Sequence, residues 1–179
     1  MKSRSALYVV SIMAVSILLA SCSPAVTPAV TDVVGSASIV DNASAFEKAI
    51  AKDGTWIIGI TKDLSIDKDL VLEGDFKNGK KDADGKELMQ RKIALYTQDA
   101  DRNITARFTL TAKSLTVKSV VASIQHGTFK GDLYIEVNGF KLIDTKVEGN
   151  VYFRSEEFKA SFVMDDKSSV TGVQEVKAS

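Results

Sequence analysis

The sequence predicts an all-β solenoid, a column of short parallel strands stacked at a fixed interval. A motif written twice is the first sign. Lys130-Gly-Asp-Leu-Tyr-Ile135 and Glu148-Gly-Asn-Val-Tyr-Phe153 lie 18 residues apart. The second sign is what that interval superposes. Lys113–Lys118 falls on Gly131–Glu136, and that on Gly149–Arg154. Leu115/Leu133/Val151 and Val117/Ile135/Phe153 become apolar columns one residue apart, so they share a face. Ser114/Asp132/Asn150 become a column of turn formers, preceded by Gly131 and Gly149, where a positive φ is cheap. Lys118/Glu136/Arg154 alternate in sign, as cross-strand neighbours do. The same shift sets Lys130 against Glu148, and Ile124 and Phe129 against Leu142 and Val147. The third sign is the texture of the chain from Trp56 to Val176: short β-rich runs broken by Gly, Asn and Asp. A fixed period of this kind marks units that bury their apolar sides only by stacking. An antiparallel sandwich also has many short strands, but like-on-like columns argue against it.

The elements follow in chain order. Lys2 and Arg4 open the chain, and Ala6–Ala20 carries no charge. That apolar stretch is short of the ~20 residues a membrane helix needs, and with its basic start it reads as an export signal. After it stands Leu19-Ala20-Ser21-Cys22, which resembles the lipobox of bacterial lipoproteins. The resemblance implies cleavage before Cys22 and a diacylglyceryl thioether on that residue. Two acyl chains at one residue make a stable membrane anchor. Residues 1–21 are then the signal peptide, 22–38 a lipidated tether and 39–179 the domain. Ser23–Ser38 is small, polar and nearly uncharged, as a linker is. Cys22 is the single cysteine of 179 residues, which excludes an internal disulfide. Removing residues 1–21 leaves a small excess of acids, so no nucleic-acid footprint is present. The expected location is a bacterial cell envelope.

Ala43–Ala51 predicts a helix, with Phe46, Ala49 and Ile50 on one face. Ser44 is the expected N-cap, Glu47 its capping-box partner, and Asp53-Gly54 the stop. Strands follow at Thr55–Ile60, Asp63–Ile66 and Asp69–Leu72, with Trp56 expected in the core. A short helix, a glycine turn and then short strands resembles the N-terminal cap of pectin-lyase-like proteins. That resemblance implies a single-stranded right-handed parallel β-helix of about five to six short coils with an N-terminal capping helix. Residues 74–91 are polar, lysine-rich and aperiodic, and predict a solvated loop or excursion. Within them Asp82-Ala-Asp84-Gly85 resembles the start of a calcium loop, but Lys86 holds the third ligand position, so a turn is expected. No second helix is expected. Gly131-Asp132-Leu133 and Gly149-Asn150-Val151 are also similar to the bactofilins, polymer-forming proteins, which implies self-association; a helix covering one end departs from that pattern.

Chemistry-bearing residues are few. His126 is the only histidine. The interval sets it over Asp144, at a turn beside Gly127, and it reads as a solvated turn residue. Polysaccharide lyases need clustered acids and a basic residue. Asp144, Asp165 and Asp166 with Arg154 or Arg102 are the candidates, and their scatter reads as surface charge. Tyr134 and Tyr152 alternate with core residues and should point outward, with Thr116 next in the column and Glu136 and Arg154 at the rim. Exposed aromatic rungs bind the apolar faces of sugars or another protein. No cofactor or metal is expected, and no catalytic residue is assigned. These residues point to a non-catalytic envelope lipoprotein with a structural, adhesive or glycan- or protein-binding role. A carbohydrate-active enzyme and a self-assembling column are the alternatives.

Overall fold

The computed structural model describes residues 37–177. The expected signal segment, Cys22 and the expected tether as far as Ser36 lie outside the described residues. In chain order the elements are β1 (Ala37–Val40), α1 (Ala43–Ile50), β2 (Ile57–Ile60), β3 (Leu64–Leu72), β4 (Lys77–Lys81), β5 (Glu87–Met89), β6 (Arg91–Ala94), β7 (Tyr96–Gln98) and β8 (Ile104–Arg107). They continue with β9 (Thr109–Val117), β10 (Ala122–Gln125), β11 (Thr128–Ile135), β12 (Lys141–Ile143), β13 (Lys146–Glu148), β14 (Val151–Phe153), α2 (Glu156–Ser161), β15 (Val163–Met164), β16 (Ser169–Val170) and β17 (Gln174–Val176). Ala37 and Ser38, expected in the tether, belong to β1.

One parallel sheet has the order β1-β2-β6-β10-β12-β15. A second runs β16-β13-β11-β14-β17, with β9 also on β11 and β3 on β9, again all parallel. β4 with β5 and β7 with β8 form separate antiparallel hairpins. This overturns the expected single right-handed β-helix. The strands are divided among several parallel and antiparallel sheets, and no one interval runs through the chain. Leu133 pairs with Val151 and Ile124 with Leu142 at the interval read from the sequence. Elsewhere Leu64 pairs with Leu110, Ala122 with Arg91 and Lys141 with Val163. Two hairpins and a helix are inserted between rungs, and each resets the spacing.

The inward faces of the two parallel sheets form the core. Leu70, Leu115, Leu133 and Val151 make one buried column, and Leu72, Val117, Ile135 and Phe153 another. Ile58, Ile93, Ile124 and Leu142 line the other sheet. Truncating any of them to alanine removes apolar contact and leaves a cavity, at a cost of ~2–5 kcal/mol. Where the backbone turns between columns, short polar side chains tie neighbouring strands. Ser114 Oγ donates to Asp69 Oδ1 at 2.6 Å, Asn150 Nδ2 to Asp132 Oδ1 at 2.9 Å, and Val173 N to Asn150 Oδ1 at 3.0 Å. Gly131 there has φ 139°. Gly149 has no positive φ; a Cβ on it would run into the carbonyl of Gly131, so close approach is what demands glycine.

Other expectations are corrected locally. α1 buries Phe46, Ala49 and Ile50 as read, but its N-cap is Asn42, whose side chain accepts from Ala45 N at 2.9 Å. Glu47 turns away from the cap to pair with Lys68 at 2.8 Å. The helix ends at Ala51 in extended backbone, without a left-handed glycine. Residues 74–91 are a solvated excursion but not an irregular loop: Lys77–Met89 is the exposed β4–β5 hairpin, whose turn uses Asp82 Oδ1 as acceptor for Asp84 N and Lys86 N. Arg91, at the end of that polar run, is completely buried. A second helix, α2, follows Ser155, whose hydroxyl accepts from Phe158 N. Trp56 is half-buried and stands outside the buried core.

Candidate functional site

β11 and β14 set Tyr134 directly opposite Tyr152. Both alternate with buried residues (Leu133 and Ile135, Val151 and Phe153), so strand geometry turns them outward. Their rings stack, with centroids 5.2 Å apart and planes at 29°. Thr116 continues the row on one side of Tyr134, then Val71, and Glu175 follows Tyr152 on the other. Two cations edge the pair. The Arg154 guanidinium is 5.3 Å from the Tyr134 ring centre, and Lys177 Nζ is 4.6 Å from that of Tyr152. Arg154 Nε also donates to Glu136 at 2.9 Å, with Lys118 Nζ 3.9 Å from the same carboxylate. Thr116, Tyr134, Tyr152, Glu136 and Arg154 therefore share one face. The strip offers an apolar surface edged by hydrogen-bonding cations and two carboxylates, Glu136 and Glu175. Cation–ring contacts of ~0.5–1 kcal/mol each at exposed sites hold its side chains in place.

A second cluster forms where the chain turns from the first parallel sheet to the second. His126 and Asp144 occupy successive turns, each in left-handed backbone with φ 59° and 49°. His126 Nδ1 lies 3.0 Å from Asp144 Oδ2, and Arg107 Nη2, at the foot of the β7–β8 hairpin, is 2.6 Å from the same oxygen. Tyr96, at the hairpin's other foot, meets the imidazole edge-on at 4.6 Å. Asp165 on the next turn accepts from Asp144 N at 3.0 Å. His126 is thus half-buried and bonded, not the solvated residue expected. The hydrogen bond from His126, then that from Arg107, holds the Asp144 carboxyl below the usual carboxylate range. Ser168, then the Asp144 amide, does the same for Asp165. Arg154 is engaged at Glu136, and Arg102 sits on the β7–β8 turn with φ 67°. Asp166 is exposed. The basic partner is instead Arg107, which no sequence interval links to Asp144. Among the described residues no three His, Cys, Asp or Glu side chains gather as a metal site.

No protein family, characterised protein or solved structure matches the chain. Among the described residues no helix is long and apolar enough to cross a membrane. Cys22, the expected lipidation residue, lies outside the described residues.

Proposed function

We propose that this is an exported, lipid-anchored envelope protein. Its β-rich domain binds a flat partner, a sugar face or a protein surface, along the Tyr134/Tyr152 strip and performs no turnover. The observation that carries the binding reading is the stacked, outward tyrosine pair with Arg154, Lys177 and Glu136 at its rim. Rings 5.2 Å apart are too close to hold one sugar each, so the pair acts as a single apolar platform. Lys2, Arg4, the uncharged Ala6–Ala20 and Cys22 support the anchored location.

The test is retention of the protein on isolated peptidoglycan and on envelope polysaccharides. The Tyr134→Ala/Tyr152→Ala protein should keep its wild-type circular dichroism and lose at least tenfold in retention. Unchanged retention by the folded variant would mean that the tyrosines form a cross-strand ladder that only stabilises the sheet. A second reading, a carbohydrate-active enzyme, draws on one observation, the meeting of His126, Asp144 and Arg107. Cleavage of pectin or alginate that Asp144→Asn abolishes would replace the binding reading with that one.

A further inference from the structure

The outer face of the first parallel sheet carries a different surface. Along β1, β2 and β6 the inward residues are Val40, Ile58, Ile60 and Ile93, all in the core. Alternation turns the residues between them outward. Ile39, Gly59 and Ala94 are paired in register as one row, and Ile57 is paired with Lys92 in the next. A water-facing sheet surface is ordinarily polar, and this one is not; Ile39 is 69% exposed. The first strand of the β7–β8 hairpin rises beside it. Together they border a groove of about 280 Å³ whose lining includes Ile39, Ile57, Gly59, Ala94, Lys92 and Tyr96, with the polar Thr61, Thr97 and Gln98 also on its wall.

Three features give the groove a chemistry. Gly59 has no positive φ, and a Cβ there would meet the end of the Ile39 side chain, Cδ1 at 3.3 Å, and at ordinary contact distance the Ser38 carbonyl at 3.9 Å. Its backbone does not demand glycine, and the missing side chain keeps the floor open. Lys92 is half-buried at one end, and among the described residues its ammonium has a single hydrogen-bond partner, Tyr96 Oη at 3.4 Å, and no carboxylate. A cation in partly apolar surroundings without a counter-charge is costly. Tyr96, accepting from Lys92, retains its own O–H to donate, and its ring is positioned by the edge contact with His126. An ammonium and a hydroxyl proton side by side fit one carboxylate, with apolar surface running away from them.

We propose that this groove binds a carboxylate bearing an apolar tail of medium length, the head on Lys92 Nζ and Tyr96 Oη and the tail along Ile39, Gly59 and Ala94. A volume just under the ~300 Å³ at which drug-sized pockets begin favours a tail of medium length. This site shares no residue with the tyrosine strip, so either can fail without the other.

The experiment titrates octanoate into the full-length protein by calorimetry, with octanol and acetate as the tail-only and head-only probes. Partitioning into detergent or lipid is common to all variants and cancels between them. Wild type should bind octanoate saturably at one site, at least tenfold more tightly than octanol, and acetate not measurably. Lys92→Met should weaken octanoate at least tenfold, Tyr96→Phe severalfold, and Gly59→Leu should abolish binding by filling the floor. Should Gly59→Leu fail to fold, the Lys92 and Tyr96 variants decide. Absence of saturable octanoate binding, equal affinity for octanol, or affinity unchanged in Lys92→Met overturns the proposal.

Discussion

Arg91 closes a run of lysines and acids, yet its side chain has no exposed surface. The guanidinium sits beneath the C-terminus of α1, where helix carbonyls lack intrahelical donors. It donates to Ala49 O at 2.8 Å and Ala51 O at 2.9 Å, to the carbonyls of Glu73 and Gly74, and stacks 4.2 Å from the Phe76 ring centre. Burial pushes its pKa down to about 10, so it stays charged at neutral pH. Arg91→Met keeps much of the volume but removes the guanidinium from these carbonyls, leaving Ala49 O with Thr55 N, Ala51 O with Gly54 N and Gly74 O with Ser119 Oγ, and should cost about 3 kcal/mol in urea unfolding. Arg91→Lys should recover only part of that, because one ammonium cannot reproduce the planar fork. Asp144 is a second single-residue test. Its folded carboxyl is held below its ordinary value by His126 and Arg107. Its contribution is therefore complete above the unfolded value of ~4 and is lost as pH falls through the lower folded value. Glu148, lowered by Lys146 and Lys130, acts in the same direction. Thermal melts between pH 7 and pH 2 should show a shallower acid loss in Asp144→Asn than in wild type; parallel curves would deny the linkage.

Among the elements, the stack of β9, β11 and β14 was the most legible, because alternating burial on one face and charge pairs at its end constrain the same register twice. That register has a sharp test. Lys118, Glu136 and Arg154 follow one another across neighbouring strands. Glu136→Lys puts three like charges in a row and should cost ~0.2–1 kcal/mol per half-exposed pair lost. Leu133→Asp buries a charge in the column beside it and should prevent stable folding. Equal, small effects in chemical denaturation would show the register to be wrong. What was illegible lacked such double constraint. β4 and β5 are exposed on both faces, so their ribbon leaves no alternation to read. α2 is six residues long, below the length at which helical periodicity shows, and only Ser155-Glu156-Glu157, a cap followed by two acids, marked it. The single-column expectation failed for the same reason: it extended an interval valid from Ser114 to Phe153 across insertions that carry no periodic signal. At the tyrosine face the in-register pairing followed from the repeat. Arg107 and the Lys92–Tyr96 pair did not, because hairpin insertion, and not spacing, brings them into place.

For the whole molecule, the proposed function joins two separable attachments: a lipid at Cys22 and a polymer-binding strip at Tyr134/Tyr152. Two attachments on one chain reinforce each other, since the first raises the effective concentration of the second without adding a contact. Envelope retention should then divide by variant. Cys22→Ala should take up no labelled palmitate and leave the membrane fraction, yet still bind isolated envelope polymer with wild-type affinity. Tyr134→Ala/Tyr152→Ala should be labelled and remain with the membrane, yet lose the polymer. The combined variant should be lost from both fractions, and its release from whole envelopes should exceed the sum of the two separate losses. Fractionation with palmitate labelling and N-terminal sequencing of the mature chain reads all three. A wild-type protein that takes up no palmitate, or whose mature chain begins elsewhere than Cys22, has no lipid attachment, and the strip must then hold the protein at the envelope alone. Purely additive losses would mean that the two attachments act on separate pools of the protein and do not cooperate on one chain.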